Sequence, residues 1–490
     1  MIRYVLIFIS FFLFLHFSCR NNIDKNTINN EPVLAIIKDR IITVNDFIKR
    51  CEYSPRPSYC KGQYYIHKKI ALNSLIAEKI LSIEFEDLKL KLNEQQYSLI
   101  QGRQEQAMRQ LMLKNFGFDL IKIDTVAIKD MVALRNREYT ISFAKFNIEQ
   151  KNAMPDFNSL FDAGSNINTN EMKIGFTDEM IDAVRWILYK TGPEKDVIYG
   201  PYEISDSTFL ALKVLHWEVS VDVTEKEKTD TWNLVEKEYI EEKALKKFSK
   251  YVSEIMKGKK IEFNDQIFSF FSDKIADIYL IEKSKKEKIV QGVLWDKEVD
   301  TQIKNFSRID AIKDKIILNH EGQEWTVKQL ISLIKKHPLV FRKKKINPDH
   351  FDNELKLSIA DLLRDKHITE RAYQLGFDSN KDIMQVKQKW KDYLQAAVVK
   401  HRYLQSNKTS KSLENSKTPD RRIISIIDSL QAAYSDQINI DTERFEKIKL
   451  SSIDLFARYS NQPFVDLEPA FPVLTDDHLL DYGNRLLDDE

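Results

Sequence analysis

Val33-Leu-Ala-Ile-Ile-Lys-Asp-Arg-Ile-Ile-Thr-Val-Asn-Asp-Phe-Ile-Lys-Arg50 reads as a short apolar strand, a turn and a helix that opens at Thr43. Downstream, Leu72, Leu75, Ile76, Ile80 and Ile83 recur at spacings of three and four, which marks one apolar face of a helix. A further helix carries Met108, Leu111, Met112 and Phe116 and closes at Gly117; Asp124 or Thr125 can cap the next. The pattern returns later in the chain. Thr326-Val-Lys-Gln-Leu-Ile331 parallels Thr43-Val-Asn-Asp-Phe-Ile48, and Leu362-Leu-Arg-Asp-Lys366 parallels Leu75-Ile-Ala-Glu-Lys79. Two helical blocks, 33–135 and 316–406, are therefore expected to be repeats of one unit.

Between them the texture changes. Tyr139-Thr-Ile-Ser-Phe-Ala-Lys-Phe146 alternates like a half-buried strand, Glu179–Tyr189 reads as helix, and Phe209-Leu-Ala-Leu-Lys-Val-Leu215 is a second strand. This predicts a small α/β module over 136–221. A long helix over 222–260 follows, with Trp232, Val235, Tyr239, Phe248, Val252, Ile255 and Met256 on its apolar face. At about 1.5 Å per residue it is long enough to return from the module to the first block. Segment 261–315 carries no clear pattern. Residues 407–421 are polar and read as a linker. A tail over 422–490 offers a helix from Ile423 to Tyr434 and a strand from Gln437 to Leu450.

Composition narrows the class. Glycine and proline number 12 each while charged residues make up 30%, a balance that favours long helices over short strands. The expected fold is mostly α and multi-domain, about three domains for 490 residues. With 75 basic and 74 acidic side chains the net charge is +1, so the basic footprint that nucleic-acid binding requires is missing and nucleic acid is not an expected partner.

The chain opens with Arg3 and an apolar run from Tyr4 to Leu15 before Ser18-Cys19, the outline of a secretory signal peptide over 1–18. Its apolar core falls short of the roughly 20 residues needed to cross a bilayer. The ending resembles a bacterial lipoprotein signal, which implies lipidation of Cys19. His16 and Phe17 depart from the usual pattern, and cleavage nearby, leaving an unanchored periplasmic protein, is the alternative. Residues 19–32 are too polar to pack and read as a flexible tether. In an oxidising compartment Cys51 and Cys60 can close a small loop, worth roughly 2 to 3 kcal/mol; two unpaired thiols are the alternative. Nine histidines stand singly, and no phosphate loop, nucleophile elbow or zinc-helix motif is present, so neither metal nor cofactor is expected.

The order of a signal, strand-turn-helix, helices, α/β insert and long returning helix resembles the periplasmic foldases of the SurA and PrsA type. Ile41-Ile-Thr-Val-Asn-Asp-Phe47 and Leu75-Ile-Ala-Glu-Lys79 carry it, together with two segments of the insert. Ile174-Gly-Phe-Thr-Asp-Glu-Met180 looks like the parvulin segment that leads into its last helix, and Gly200-Pro-Tyr-Glu-Ile-Ser-Asp-Ser-Thr-Phe-Leu-Ala-Leu-Lys-Val214 looks like the closing hairpin. The resemblance implies an exported periplasmic chaperone, membrane-anchored through Cys19, that holds unfolded envelope or outer-membrane proteins in an apolar cradle between helical arms. Active parvulins place histidine on the first and last strands. Here the first strand has none, Leu210 occupies the matching place on the last, and His216 lies beyond it. Little or no prolyl isomerase catalysis is therefore expected and no catalytic residue is assigned. Phe176, Met180, Val184, Trp186 and Phe209 are the residues that can line a proline-accepting groove, or else form the module's core. An isomerase with an atypical site and a structural lipoprotein subunit of an envelope assembly are the alternatives.

Overall fold

The computed structural model describes residues 27–28, 31–152, 157–162, 167–205, 208–220, 224–280, 307–343, 346–406, 418–450, 464 and 467–486. The expected signal peptide, Cys19, the first part of the tether and residues 407–417 of the expected linker lie outside the described residues. In chain order the first elements are β1 (Thr27–Ile28), β2 (Glu31–Ile37), β3 (Arg40–Thr43), α1 (Val44–Glu52), α2 (Tyr65–Asp87), α3 (Glu94–Phe116) and α4 (Thr125–Arg135). Then come β4 (Arg137–Asn147), α5 (Ile148–Asn152), β5 (Thr169–Ile174), α6 (Asp182–Trp186), β6 (Ile198–Ser205), β7 (Thr208–Val219) and α7 (Glu225–Ile255). After them follow β8 (Ile261–Phe263), α8 (Asp265–Tyr279), β9 (Ile316–His320), β10 (Gln323–Thr326), α9 (Val327–Lys336), α10 (Phe351–Gln374) and α11 (Lys381–Ser406). The last are α12 (Arg421–Ala433), β11 (Ile438–Ile440), α13 (Thr442–Lys447) and β12 (Asn484–Arg485).

The chain is mostly helical and falls into two compact units, Met1–Leu111 with Ile255–Glu490, and Met112–Glu254. Both boundaries lie inside helices, α3 and α7. Residues 112–135, expected in the first helical block, thus belong with the α/β module. No helix among the described residues is long and apolar enough to cross a membrane.

Within the larger unit the two blocks share one plan. In each, a hairpin runs into a helix capped by threonine: the Thr43 hydroxyl accepts from the Asp46 amide at 3.0 Å, and the Thr326 hydroxyl accepts from the Gln329 amide at 3.3 Å. Each hairpin also gains a third, antiparallel strand from elsewhere in the chain, β11 on β2 and β8 on β9. These added strands match in sequence as well. Ile438-Asn-Ile-Asp-Thr-Glu-Arg-Phe445 and Ile261-Glu-Phe-Asn-Asp-Gln-Ile-Phe268 each give a strand, an Asx cap (Asp441 onto Arg444, Asn264 onto Ile267) and a buried phenylalanine. The expected long strand over Gln437–Leu450 is therefore three residues long, because Asp441 starts α13. In the unassigned segment, β8 and α8 are the corresponding pair.

Thr27–Ile28 pairs with Glu31–Pro32, so strand structure begins inside the stretch expected as tether. The expected tail is built into the first core, where Ile438, Ile440, Phe445, Ile448, Leu450 and Phe471 pack with Leu34, Phe47, Leu72 and Ile76.

Helix α2 is buried almost all round, not on one face: Leu72, Leu75, Ile76, Ile80 and Ile83 are inside, and so are Lys68, Asn73, Ser74, Glu78, Lys79 and Ser82. Those polar groups require partners, because an unpaired buried donor or charge costs several kcal/mol. Lys68 donates to the Phe445 and Ile448 carbonyls at 2.7 and 3.1 Å, Asn73 to the Asp477 carbonyl at 3.0 Å, and Ser74 to the Thr475 carbonyl at 3.3 Å. Glu78 takes a bidentate pair from Arg50 at 3.0 and 2.8 Å, and Lys79 meets Asp392 of α11 at 2.7 Å.

The blocks close on each other. Ala77, Leu81 and Phe85 of α2, with Leu92 and Ile100, pack against Trp390, Leu394, Ala396 and Val399 of α11. The apolar cradle expected between helical arms is therefore filled by the two blocks' own side chains.

Arg50→Met is expected to lower stability by about 3–5 kcal/mol, because it strands Glu78 as an uncompensated buried charge. Arg50→Met combined with Glu78→Leu should recover most of the loss. Urea melts of the single and double variants check this; equal midpoints for the two would contradict it.

Candidate functional site

The sheet of the Met112–Glu254 unit runs β5-β4-β7-β6, antiparallel throughout. The two strands read from sequence are its centre, β4 and β7. Ile174–Met180 leads from β5 toward α6, and β6 pairs antiparallel with β7 across the expected hairpin. β5 escaped reading because Thr-Asn-Glu-Met-Lys-Ile buries only Ile174, as an edge strand does. The helix expected over Glu179–Tyr189 is a five-residue α-helix continued by a π-helical turn, Ile187–Thr191.

Alternation along the central strands separates the five groove residues. Tyr139, Ile141, Leu212 and Val214 pack with Val184, Leu188 and Tyr189, and Phe176 and Met180 rest against that cluster. Ala144, Phe146, Phe209 and Ala211 form a second cluster with Leu160, on the opposite face. Trp186 is 48% exposed. Phe176, Met180 and Val184 are brought together; Phe209 and Trp186 are not with them.

The module's own side chains fill the space beside Phe176. The Arg135 guanidinium lies 3.6 Å from its ring centroid and that of Arg185 at 5.0 Å, while Tyr189 meets it edge-on at 5.2 Å. Arg185 donates to the Phe176 and Asp178 carbonyls at 2.8 and 3.1 Å. The Tyr139 and Tyr189 hydroxyls donate to the Leu188 and Ile174 carbonyls at 2.7 and 3.1 Å. Burial drives both phenols upward, so they stay neutral. His216 is exposed, its Nε2 3.2 Å from the Thr140 hydroxyl.

In the larger unit a strongly perturbed carboxylate is Glu105 on α3. It pairs with Lys336, meets His337 Nε2 at 2.6 Å, and accepts from the Tyr373 hydroxyl at 3.1 Å and from Gln101 at 3.0 Å. Burial opposes its charge, but the hydrogen bonds from His337 and Lys336 prevail and hold it at about 2. Burial also lowers His337, consistent with a neutral ring that donates to Glu105 and accepts from Arg109 at 3.4 Å. Every partner is a protein group, so the cluster reads as a clasp between α3 and the end of α9. Pro338 follows the C-cap His337 and stops α9.

Cys51 and Cys60, expected as a disulfide pair, are free thiols packed in the first apolar core. Desolvation pushes both up to about 12, so they behave as small apolar side chains.

Two features were missed in the sequence. One is on the surface: Tyr64, Tyr65 and Ile66 are 72%, 45% and 51% exposed at the start of α2. Tyr65 donates to Glu446 at 2.5 Å. The same α13 region walls a shallow groove of about 480 Å³, lined by Pro32, Val44, Ile48, Glu443, Arg444, Lys447, Ile448 and Lys449. Three consecutive large apolar residues before a helix were the available signal. The other corrects the expectation that histidines stand alone: His320 and His367, 47 residues apart, are buried with Nε2 atoms 2.7 Å from each other, beside Glu321.

The chain matches no protein-family model, no curated protein and no solved structure.

Glu105 generates a pH dependence. A carboxyl held at about 2 against an ordinary 4.5 stabilises the fold above about pH 4.5 and loses that contribution as pH falls toward 2. The shift corresponds to about 3 kcal/mol. Glu105→Gln should flatten the loss of stability between pH 5 and 3; chemical melts across that range check it, and parallel pH profiles would refute it.

Proposed function

We propose that this protein is an exported cell-envelope chaperone that binds extended segments of unfolded envelope proteins, with a parvulin-like module that contributes little or no catalysis. The observation that carries the reading is the exposed Tyr64-Tyr65-Ile66 run, tied by the Tyr65–Glu446 hydrogen bond to the segment that walls the groove bordered by Val44, Ile48 and Ile448. Exposed apolar side chains on a folded surface mark an interaction site. Charges of both signs on the rim, Glu443, Arg444, Lys447 and Lys449, suit a peptide backbone better than a single-sign ligand. The groove also replaces the cradle between the blocks, which is closed. Lipid anchoring at Cys19 and placement in the periplasm belong to the same proposal, supported by the apolar segment ahead of that cysteine.

The non-catalytic part rests on the module's interior. Isomerisation requires a dry, shaped space that twists the amide across a barrier of about 18–20 kcal/mol. Around Phe176 that space is taken by Arg135, Arg185 and Tyr189.

Light scattering of a diluted, denatured outer-membrane protein tests the chaperone. Suppression near one-to-one stoichiometry is expected, weakened several-fold by Tyr64→Ser with Ile66→Ser at unchanged circular dichroism. No suppression by the parent chain would sink the reading. A tight stoichiometric complex with one folded envelope protein in pull-downs would favour a structural subunit instead. In a proline-peptide assay the slow cis–trans rate should be unchanged; acceleration abolished by Phe209→Ala would restore an isomerase.

A further inference from the structure

The hairpin β9–β10 turns through two residues, Glu321 and Gly322, both at positive φ (53° and 76°). Two such residues are what a tight hairpin turn requires. The turn leaves His320 at the inner end of β9 and Glu321 at the exposed tip. His367 comes from α10, so the three ligand-bearing atoms converge from a hairpin and a helix and lie within 4.8 Å of one another.

Hydrogen bonding sets the protons on the two rings. His320 Nδ1 lies 2.8 Å from the Lys260 carbonyl, which can only accept, so Nδ1 carries the hydrogen. His367 Nδ1 lies 2.8 Å from Glu370 Oε2, and a carboxylate likewise accepts, so this Nδ1 carries one too. In the neutral rings both Nε2 atoms then present lone pairs to each other at 2.7 Å, a repulsive arrangement that positive charge between them, a metal ion or a shared proton, resolves. Glu321 Oε2 stands 3.4 Å from His367 Nε2 and 4.0 Å from His320 Nε2, an anionic third donor at the same place, while its other oxygen is held by Lys259.

The other block shows that the fold does not need these groups. By hairpin register His320 and Glu321 correspond to Ile37 and Lys38, the latter also at φ 53°. Through the parallel of Leu362–Lys366 with Leu75–Lys79, His367 corresponds to Ile80. Ile37 and Ile80 are both buried in the first core. One block fills the position with hydrocarbon; the other places two imidazoles and a carboxylate there.

We propose that His320, Glu321 and His367 bind a divalent first-row transition ion of the zinc class, with water at a fourth position on the exposed side of Glu321. Two imidazoles and one carboxylate are a ligand set this class accepts. The Lys260 carbonyl and Glu370 supply the outer contacts that fix ring orientation in such sites. Metal–nitrogen bonds of about 2.0–2.1 Å require the nitrogens to part by about half an ångström, a rotation within reach of two side chains. Bound there, the ion ties the β9–β10 hairpin to α10. The charged groups around the site balance: Glu321 and Glu370 face Lys259 and Lys366.

The test is a zinc titration of the purified full chain after chelator treatment, against a chromophoric competitor, with cobalt substitution as a spectroscopic check. One equivalent should bind with sub-micromolar affinity, raise the melting temperature, and give the visible absorption of a four-coordinate cobalt centre. His367→Gln should abolish binding, and Glu370→Gln should weaken it about 10- to 100-fold. Because a histidine variant can disturb the core, Glu321→Gln, exposed on a turn, is the second probe: it should keep the fold and its apo melting point while losing affinity and changing the cobalt spectrum. No bound equivalent, or binding indifferent to both His367→Gln and Glu321→Gln, would overturn the proposal and leave a shared proton between the rings. Binding that survives those variants but disappears with Cys51→Ser would place the ion elsewhere and overturn it equally.

Discussion

The larger unit depends on a helix that is buried on every side through its middle. Because the middle of α2 is surrounded, most of the polar groups it buries are answered from another segment, and the answers come from α1 (Arg50), from α11 (Asp392) and from the far end of the chain (Phe445, Ile448, Thr475 and Asp477). Burying ion pairs is a poor route to stability compared with hydrocarbon. What it supplies instead is register: a bidentate Arg50–Glu78 pair and a lysine seated on carbonyl oxygens are satisfied in one arrangement, whereas Leu72 and Ile76 would tolerate several.

Much of the architecture was legible. Thr43 and Thr326 announced their helices because capping is a local signal, and the heptad-like run from Leu72 to Ile83 announced α2. The central strands β4 and β7 were legible because each buries alternate residues. What escaped were features set by distant partners. The repeat was recognised through strand, turn, capped helix and downstream helix, but its added strand was not, since β8 precedes one block while β11 lies about 400 residues after the other begins. The eight-residue match from Ile261 and from Ile438 was in plain view, yet nothing local ties either to its hairpin.

The same reasoning applies to the sites. Sequence grouped five apolar residues as groove or core because they fall in one module; four of them are core or rest against it, and the pleat of β7 puts Phe209 on the face opposite Leu210 and Leu212. Phe176 takes the core alternative, its ring packed against the cluster of Val184 and Tyr189 with Arg135 stacked over it. His320 and His367 were read as isolated because spacing along the chain says nothing about which helix crosses the end of which hairpin. Cys51 and Cys60 looked like a loop staple for the opposite reason: closeness in sequence suggested a bond where apolar packing suffices.

The stitching of α2 to residues 445–479 has a consequence for synthesis. A chain that emerges from its amino end first has Lys68, Asn73 and Ser74 made, with their helix ready to form, long before their acceptors exist. Contacts at such separation are made late and set the pace of folding. The first block therefore has to wait, incomplete and sticky, while the second can close on itself. A protein arranged this way is committed to its final form only when its last segment arrives.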